Sequence, residues 1–126
     1  MVITQAKEYD EIKKQLEKND KIWVMSCNSC VRVIGTGGED KMIQLADRLK
    51  KDGFQVVGTS LYGTACIKEI VKEKIDPDTI VMLACDAGVY NIDHILKPNK
   101  MVKALSTLGI GVRDLKGNYT LVKKFK

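Results

Sequence analysis

Short apolar runs alternate with segments of helical period, and that alternation limits the folds open to this chain. Ile22-Trp23-Val24-Met25 is the first run and Phe54-Gln55-Val56-Val57 the second. Thr79-Ile80-Val81-Met82-Leu83-Ala84 is the third and has the strongest strand composition. Between the first two, residues 39–52 carry Met42, Leu45, Ala46 and Leu49 at spacings of three and four, which predicts an amphipathic helix that Gly53 ends. Strands alternating with helices imply βαβ units and a mainly parallel sheet. The expected fold is a three-layer α/β sandwich, Rossmann-like or flavodoxin-like, with a short sheet of about four strands. At 126 residues the chain fits one domain over 1–126 and can bury a core without disulfides.

The remaining elements follow by the same reasoning. Ala6, Tyr9, Ile12 and Leu16 predict a helix over 4–19 with Thr4 as its cap. Gly58 to Ala65 reads as a loop. A short helix opens at Cys66 and is stopped by Asp76-Pro77. Val89, Ile92 and Ile95 mark a short helix after Cys85, and Met101, Ala104 and Leu105 another over about 98–107. Ile110-Gly111-Val112 suggests a fourth strand, and Gly117-Asn118 a turn into the weaker β segment Tyr119–Val122.

The first twenty residues are dense in charge and lack an apolar core, so no targeting segment is expected. The apolar runs are too short to span a bilayer. A cytoplasmic protein with reduced thiols is the expectation, which favours metal or redox chemistry over a disulfide framework. The net charge of +5 is spread along the chain, with a cluster at Lys123, Lys124 and Lys126. With 6% aromatics there are few platforms for stacking bases. We read the charge as a solvated surface, one that could attract an acidic protein, rather than as a nucleic-acid or membrane interface.

The four cysteines fall in a pattern. Cys27 and Cys30 follow the first strand, Cys66 follows the second through a loop, and Cys85 follows the third directly. In a parallel sheet these positions share the carboxyl edge, where ligand sites of open α/β sheets lie. Cys27-Asn28-Ser29-Cys30 is a C-x2-C pair, a spacing that serves zinc and iron–sulfur clusters alike, and two more thiolates complete a set of four. Gly35, Gly37, Gly38, Gly63 and Gly88 would let backbone approach the sulfurs and donate N–H bonds. Cys66 and Cys30 are expected at helix N-termini, where the dipole favours thiolate. Two other readings stay open: a dithiol oxidoreductase using Cys27 and Cys30, and a metal-free interaction module in which Cys66 and Cys85 are small buried hydrophobes.

Other motifs are less specific. Ile34-Gly35-Thr36-Gly37-Gly38-Glu39-Asp40 matches neither a phosphate loop nor a dinucleotide fingerprint, and its two acids suit a helix N-terminus better than a phosphate. The single histidine, His94, reads as a packing or surface residue, and Trp23 as core. No serine or cysteine has an evident paired base, so hydrolase chemistry has no support and catalytic residues are not expected.

At these residues the chain resembles the small cysteine-rich subunit, or C-terminal domain, associated with methylenetetrahydrofolate reductase of acetogens and other anaerobes. The resemblance runs from about Lys7 to Gly111. It rests on the strand before Cys27-x-x-Cys30, on Gly37-Gly38-Glu39, on Cys66, on Cys85-x-x-Gly88-Val89, and on Ala104-Leu105-Ser106-Thr107-Leu108. Ile34 stands where the family pattern carries a further cysteine, and Asp86 where it often carries glycine. The resemblance implies a non-catalytic oxidoreductase subunit in one-carbon metabolism, partnered by a flavin-containing catalytic subunit and serving electron transfer or assembly. It also implies metal ligation by Cys27, Cys30, Cys66 and Cys85. Ligands on strand-end loops near a glycine-rich surface tilt the expectation towards an iron–sulfur cluster over zinc, with an acidic electron carrier as a further partner.

Overall fold

A computed structural model describes residues 1–66 and 78–125. Along the chain the elements are β1 (Val2–Ala6), α1 (Tyr9–Lys13), β2 (Lys21–Cys27), α2 (Cys30–Ile34), α3 (Glu39–Lys51), β3 (Gln55–Tyr62), β4 (Thr79–Leu83), α4 (Asp86–Leu96), β5 (Lys100–Lys103), β6 (Leu105–Arg113) and β7 (Tyr119–Lys124).

The predicted α/β sandwich is present. A four-stranded sheet runs in the order β3-β2-β4-β5, and every pairing in it is parallel. Its central strand β4 is buried along its whole length, as a strand covered on both faces must be. Ile22, Val24, Met25, Ile80, Val81 and Met82 show no exposed surface and form the middle of the core. The order fixes the layering. The connection from β2 through α3 steps to β3 on one side, while that from β4 through α4 steps to β5 on the other. Crossovers of one hand then put α3 and α4 on opposite faces and leave a topological switch point between β2 and β4.

A second sheet, β1-β6-β7, is antiparallel. It corrects two expectations. The helix predicted over 4–19 is a strand to Ala6 and a single turn of helix from Tyr9, with Glu8 rather than Thr4 at its cap. Val2, Ile3 and Thr4 are β-branched, and pairing with β6 satisfies their backbone. The helix predicted over 98–107 is β5 followed by β6. The spacing of Met101, Ala104 and Leu105 imitates a helical period across a break between two strands. Val102 is buried in β5 beside Val81, and Leu105 is buried at the start of β6. Ile110–Val112 is a strand, as expected, but belongs to this second sheet as part of β6.

β3 also outruns its expected end. It continues to Tyr62, so Gly58 to Tyr62 is strand and only residues 63–65 remain of the predicted loop. Alternation gives the reason: Ser60 and Tyr62 are buried while Thr59 and Leu61 are exposed. Gly58 lies under the Trp23 ring, where a Cβ would come within 2.8 Å of it. Trp23 itself is half-buried, its indole N–H donating to Ser60 Oγ at 2.7 Å. The helix expected from Cys66 to the Asp76-Pro77 stop falls, beyond Cys66, outside the described residues. Among the described residues no helix is long and apolar enough to cross a membrane.

Candidate functional site

The carboxyl edge of the parallel sheet is built from strand register. Ser26 of β2 pairs with Leu83 of β4 as the last residues in register. Partners in register point to the same face, and the next residue along points to the other. Ser26 faces α3, because its Oγ accepts a hydrogen bond from the Gly38 N–H at 2.8 Å. Gly38 is the N-cap of α3. Cys27 therefore faces the other way, towards the side of α4.

Cys27 is buried, and its Sγ accepts a hydrogen bond from the Ala65 N–H at 3.3 Å. Ala65 is fully buried and immediately precedes Cys66. Its carbonyl accepts from Asn91 Nδ2 of α4 at 2.7 Å. Gly88, on the same helix, lies against Ala65 and Ala84; a Cβ there would approach their Cβ atoms to 3.1 Å and 2.9 Å. The segment that presents Cys66 is thus held to β2 by a sulfur hydrogen bond and to α4 by an amide and a close backbone approach.

Cys85 is the N-cap of α4, with extended backbone and its carbonyl accepting from Val89 N–H at 3.0 Å. Beside it, Asp86 donates its N–H to Thr107 Oγ1 and pairs with Lys103 Nζ at 3.3 Å. Cys30 is the first residue of α2, as expected, and is partly exposed. α2 is a single turn that Gly35 closes in the left-handed conformation at φ 93°.

Cys66 senses the other three cysteines. Cys66 is the exposed member, and its thiol pKa is raised. Partial burial is the largest cause, followed by the charges of Cys85 and then Cys27, with Cys30 contributing less. All three other cysteines therefore lie within electrostatic reach of Cys66. Ligation demands more, namely sulfurs gathered about one ion at roughly 2.3 Å. Among the described residues no three Cys, His, Asp or Glu side chains are drawn into such a set. The two observations differ in reach: charges interact over several ångströms, whereas coordination requires contact. Four sulfurs lie towards one sheet edge, and a buried backbone N–H donates to one of them; sulfur is the donor that thiophilic metals select.

The glycines play other parts than expected. The N–H on Cys27 Sγ comes from Ala65, not from a glycine. Gly38 serves Ser26, Gly37 packs against Val31, and Gly88 lets α4 approach the 65–66 segment. Sequence reasoning also missed Ser26 and Asn91. A polar residue at the end of an otherwise apolar strand was the available signal for Ser26; Asn91 had none. His94 is exposed on α4. Comparison of the chain with family models, with curated proteins and with solved structures gives no match.

Proposed function

We propose that Cys27, Cys30, Cys66 and Cys85 hold one metal centre, an iron–sulfur cluster or a zinc ion, in a non-catalytic accessory subunit of a flavin-containing oxidoreductase of the methylenetetrahydrofolate reductase type. The observation that carries this reading is the arrival of four cysteines from three strand ends at one sheet edge, with Cys27, Cys30 and Cys85 within electrostatic reach of Cys66. A bound cation would relieve the repulsion that four thiolates impose on one another. The group would supply electron relay if it is a cluster, or rigid cross-linking of the three strand ends if it is zinc. The Ala65 N–H would hold a negatively charged Cys27 sulfur, and the N-terminal end of α4 lies beside Cys85.

The partner reading is supported by the β6–β7 hairpin. Val112, Val122 and Phe125 are exposed on a segment that also carries exposed Arg113, Lys116, Lys123 and Lys124. This ribbon touches the α2 side of the site through Tyr119 Oη, which donates to the Val33 carbonyl at 3.5 Å. Exposed apolar and basic residues on one ribbon suit an acidic protein partner.

Anaerobic purification followed by metal analysis and visible absorption tests the proposal. Stoichiometric iron with charge-transfer absorption, or one colourless zinc, is expected, and Cys27→Ser and Cys85→Ser should each lose it. Fully folded protein that stays metal-free when offered either metal, and keeps the same stability, would overturn it.

A further inference from the structure

A cleft lies on the opposite face of the same sheet edge, between α1 and α3. Its volume is about 420 Å³, within the range of roughly 300–1,000 Å³ typical of small-molecule sites. Leu83, at the end of β4, and Thr36, between α2 and α3, are among the residues that line it. It therefore opens at the switch point, where doubly wound sheets leave a crevice because the flanking connections diverge. No cysteine lines it. The Ser26 hydroxyl serves Gly38 on the cleft side, and Cys27 turns to the other face.

The walls have two characters. Ile12, Leu45, Leu83 and Leu105 supply an apolar interior. Lys7, Lys41 and Arg48 line it with positive charge, against Glu8 as its one acidic residue. Among the described residues none of these three cations has a carboxylate in ion-pair contact. Arg48 is nevertheless held in place, its guanidinium lying 3.8 Å from the centroid of the Tyr9 ring. Tyr9 in turn is fixed by its hydroxyl donating to Asp52 at 2.6 Å. A preorganised cation beside two others that have no ion-pair partner among the described residues, above an apolar floor, is the chemistry that recognises an anionic head on an apolar body.

We propose that this cleft is a binding site for a small amphiphilic anion, a carboxylate or phosphate carried on an apolar group, with Lys7, Lys41 and Arg48 holding the head and Ile12, Leu45, Leu83 and Leu105 the body. The site does not depend on what the cysteines bind. It gives the sheet edge two faces with different tasks, joined through the Ser26-Cys27 pair.

Amide chemical shifts of the full chain, followed during titration with 2-naphthoate, 2-naphthyl phosphate and the neutral 2-naphthylmethanol, test it. Saturable shifts are expected at Thr36, Leu45, Leu83 and Leu105 with one or both anions, and the alcohol should bind about tenfold more weakly. Lys41→Gln, at an exposed position that leaves the core intact, should weaken the anions by a similar factor and leave the alcohol unchanged. Arg48→Gln should do the same, with spectral dispersion reporting that the fold survives. Binding of one anion alone would identify the head group and support the site. Absence of saturable shifts in the cleft, equal binding of the alcohol, or indifference of the anions to Lys41→Gln would overturn it.

Discussion

The Ala65 N–H donates to Cys27 Sγ across 3.3 Å, tying the residue before Cys66 to the end of β2. The same peptide segment is fixed from behind by Asn91, so the position of Cys66 relative to Cys27 depends on α4 as well as on β3. Gly88 makes this possible. Replacing it with alanine sets two terms against each other. Helix propensity favours alanine by about 1 kcal/mol. Overlap with the Cβ atoms of Ala84 and Ala65, at 2.9 Å and 3.1 Å, costs about 1–3 kcal/mol, because neither neighbour has a flexible end to move. Gly88→Ala should therefore lower the urea midpoint and, in metal-free protein, speed modification of Cys66 by a thiol reagent. An unchanged Cys66 rate would show that α4 does not control this segment.

Asn91→Ala removes the hydrogen bond to the Ala65 carbonyl without adding bulk. The cost to global stability should be about 1 kcal/mol. The loss should appear more strongly as faster exchange of the Ala65 amide, which reports the hydrogen bond to Cys27 directly. Equal exchange in variant and parent would separate the two contacts.

Ser26 carries a heavier load than either. Its side chain is fully buried; it accepts from Gly38 N–H at 2.8 Å and lies within donating distance of the Cys27 and Leu83 carbonyls, at 2.9 Å and 3.2 Å. Ser26→Ala strips the Gly38 N–H of that partner at the start of α3, inside the protein. An unsatisfied buried donor costs about 1–3 kcal/mol, more than the bond itself contributes. Urea denaturation should show a loss of that size, whereas Ser26→Thr, which keeps the hydroxyl, should recover part of it.

The parallel sheet was legible because burial on both faces leaves a direct trace in sequence, as in Ile80–Leu83. The convergence of the cysteine-bearing segments followed from that sheet alone, since parallel strands align their ends. Ile110–Val112, the Gly117-Asn118 turn and Tyr119–Val122 were legible as β structure; what escaped was β1 and the pairing of β1, β6 and β7 into a separate antiparallel sheet. Thr4 is buried against Thr36, their hydroxyls 2.7 Å apart, a contact between residues 32 positions apart that no local pattern announces. Met101, Ala104 and Leu105 failed for a related reason. Three apolar residues at helical spacing fit a helix and a strand break equally well, and only the pairing of β5 with β4 decides between them. The cleft escaped entirely, because it depends on where α1 sits beside α3.

Acid should act through the Asp20–Lys100 pair. Desolvation pushes the Asp20 carboxyl up, but the Lys100 hydrogen bond at 2.8 Å and the Glu17 N–H outweigh it, and the pKa falls below the usual 3.8. A carboxyl lowered in the folded state contributes stability that is present above pH 3.8 and is lost as pH falls through the folded value. Asp20→Asn should therefore flatten the stability curve below about pH 4. Stability of the variant that still falls as steeply there would place the acid sensitivity elsewhere.

At the alkaline end the group to follow is Tyr9. Burial, then the hydrogen bond to Asp52, then the charge of Asp52 push its hydroxyl up from 10.0 to about 12, with the Arg48 cation acting in the opposite direction. A raised acid keeps its proton longer folded than unfolded, so its contribution is complete below pH 10.0 and fades as pH climbs towards about 12. The parent protein should lose stability across that window, while Tyr9→Phe, which has no proton to lose, should start lower and stay flatter. Because Tyr9 also holds Arg48 at the mouth of the cleft, the same variant should weaken 2-naphthoate binding below pH 10, where the tyrosine is protonated in the parent. An affinity below pH 10 that is the same in parent and variant would show that Tyr9 supports the fold without serving the cleft.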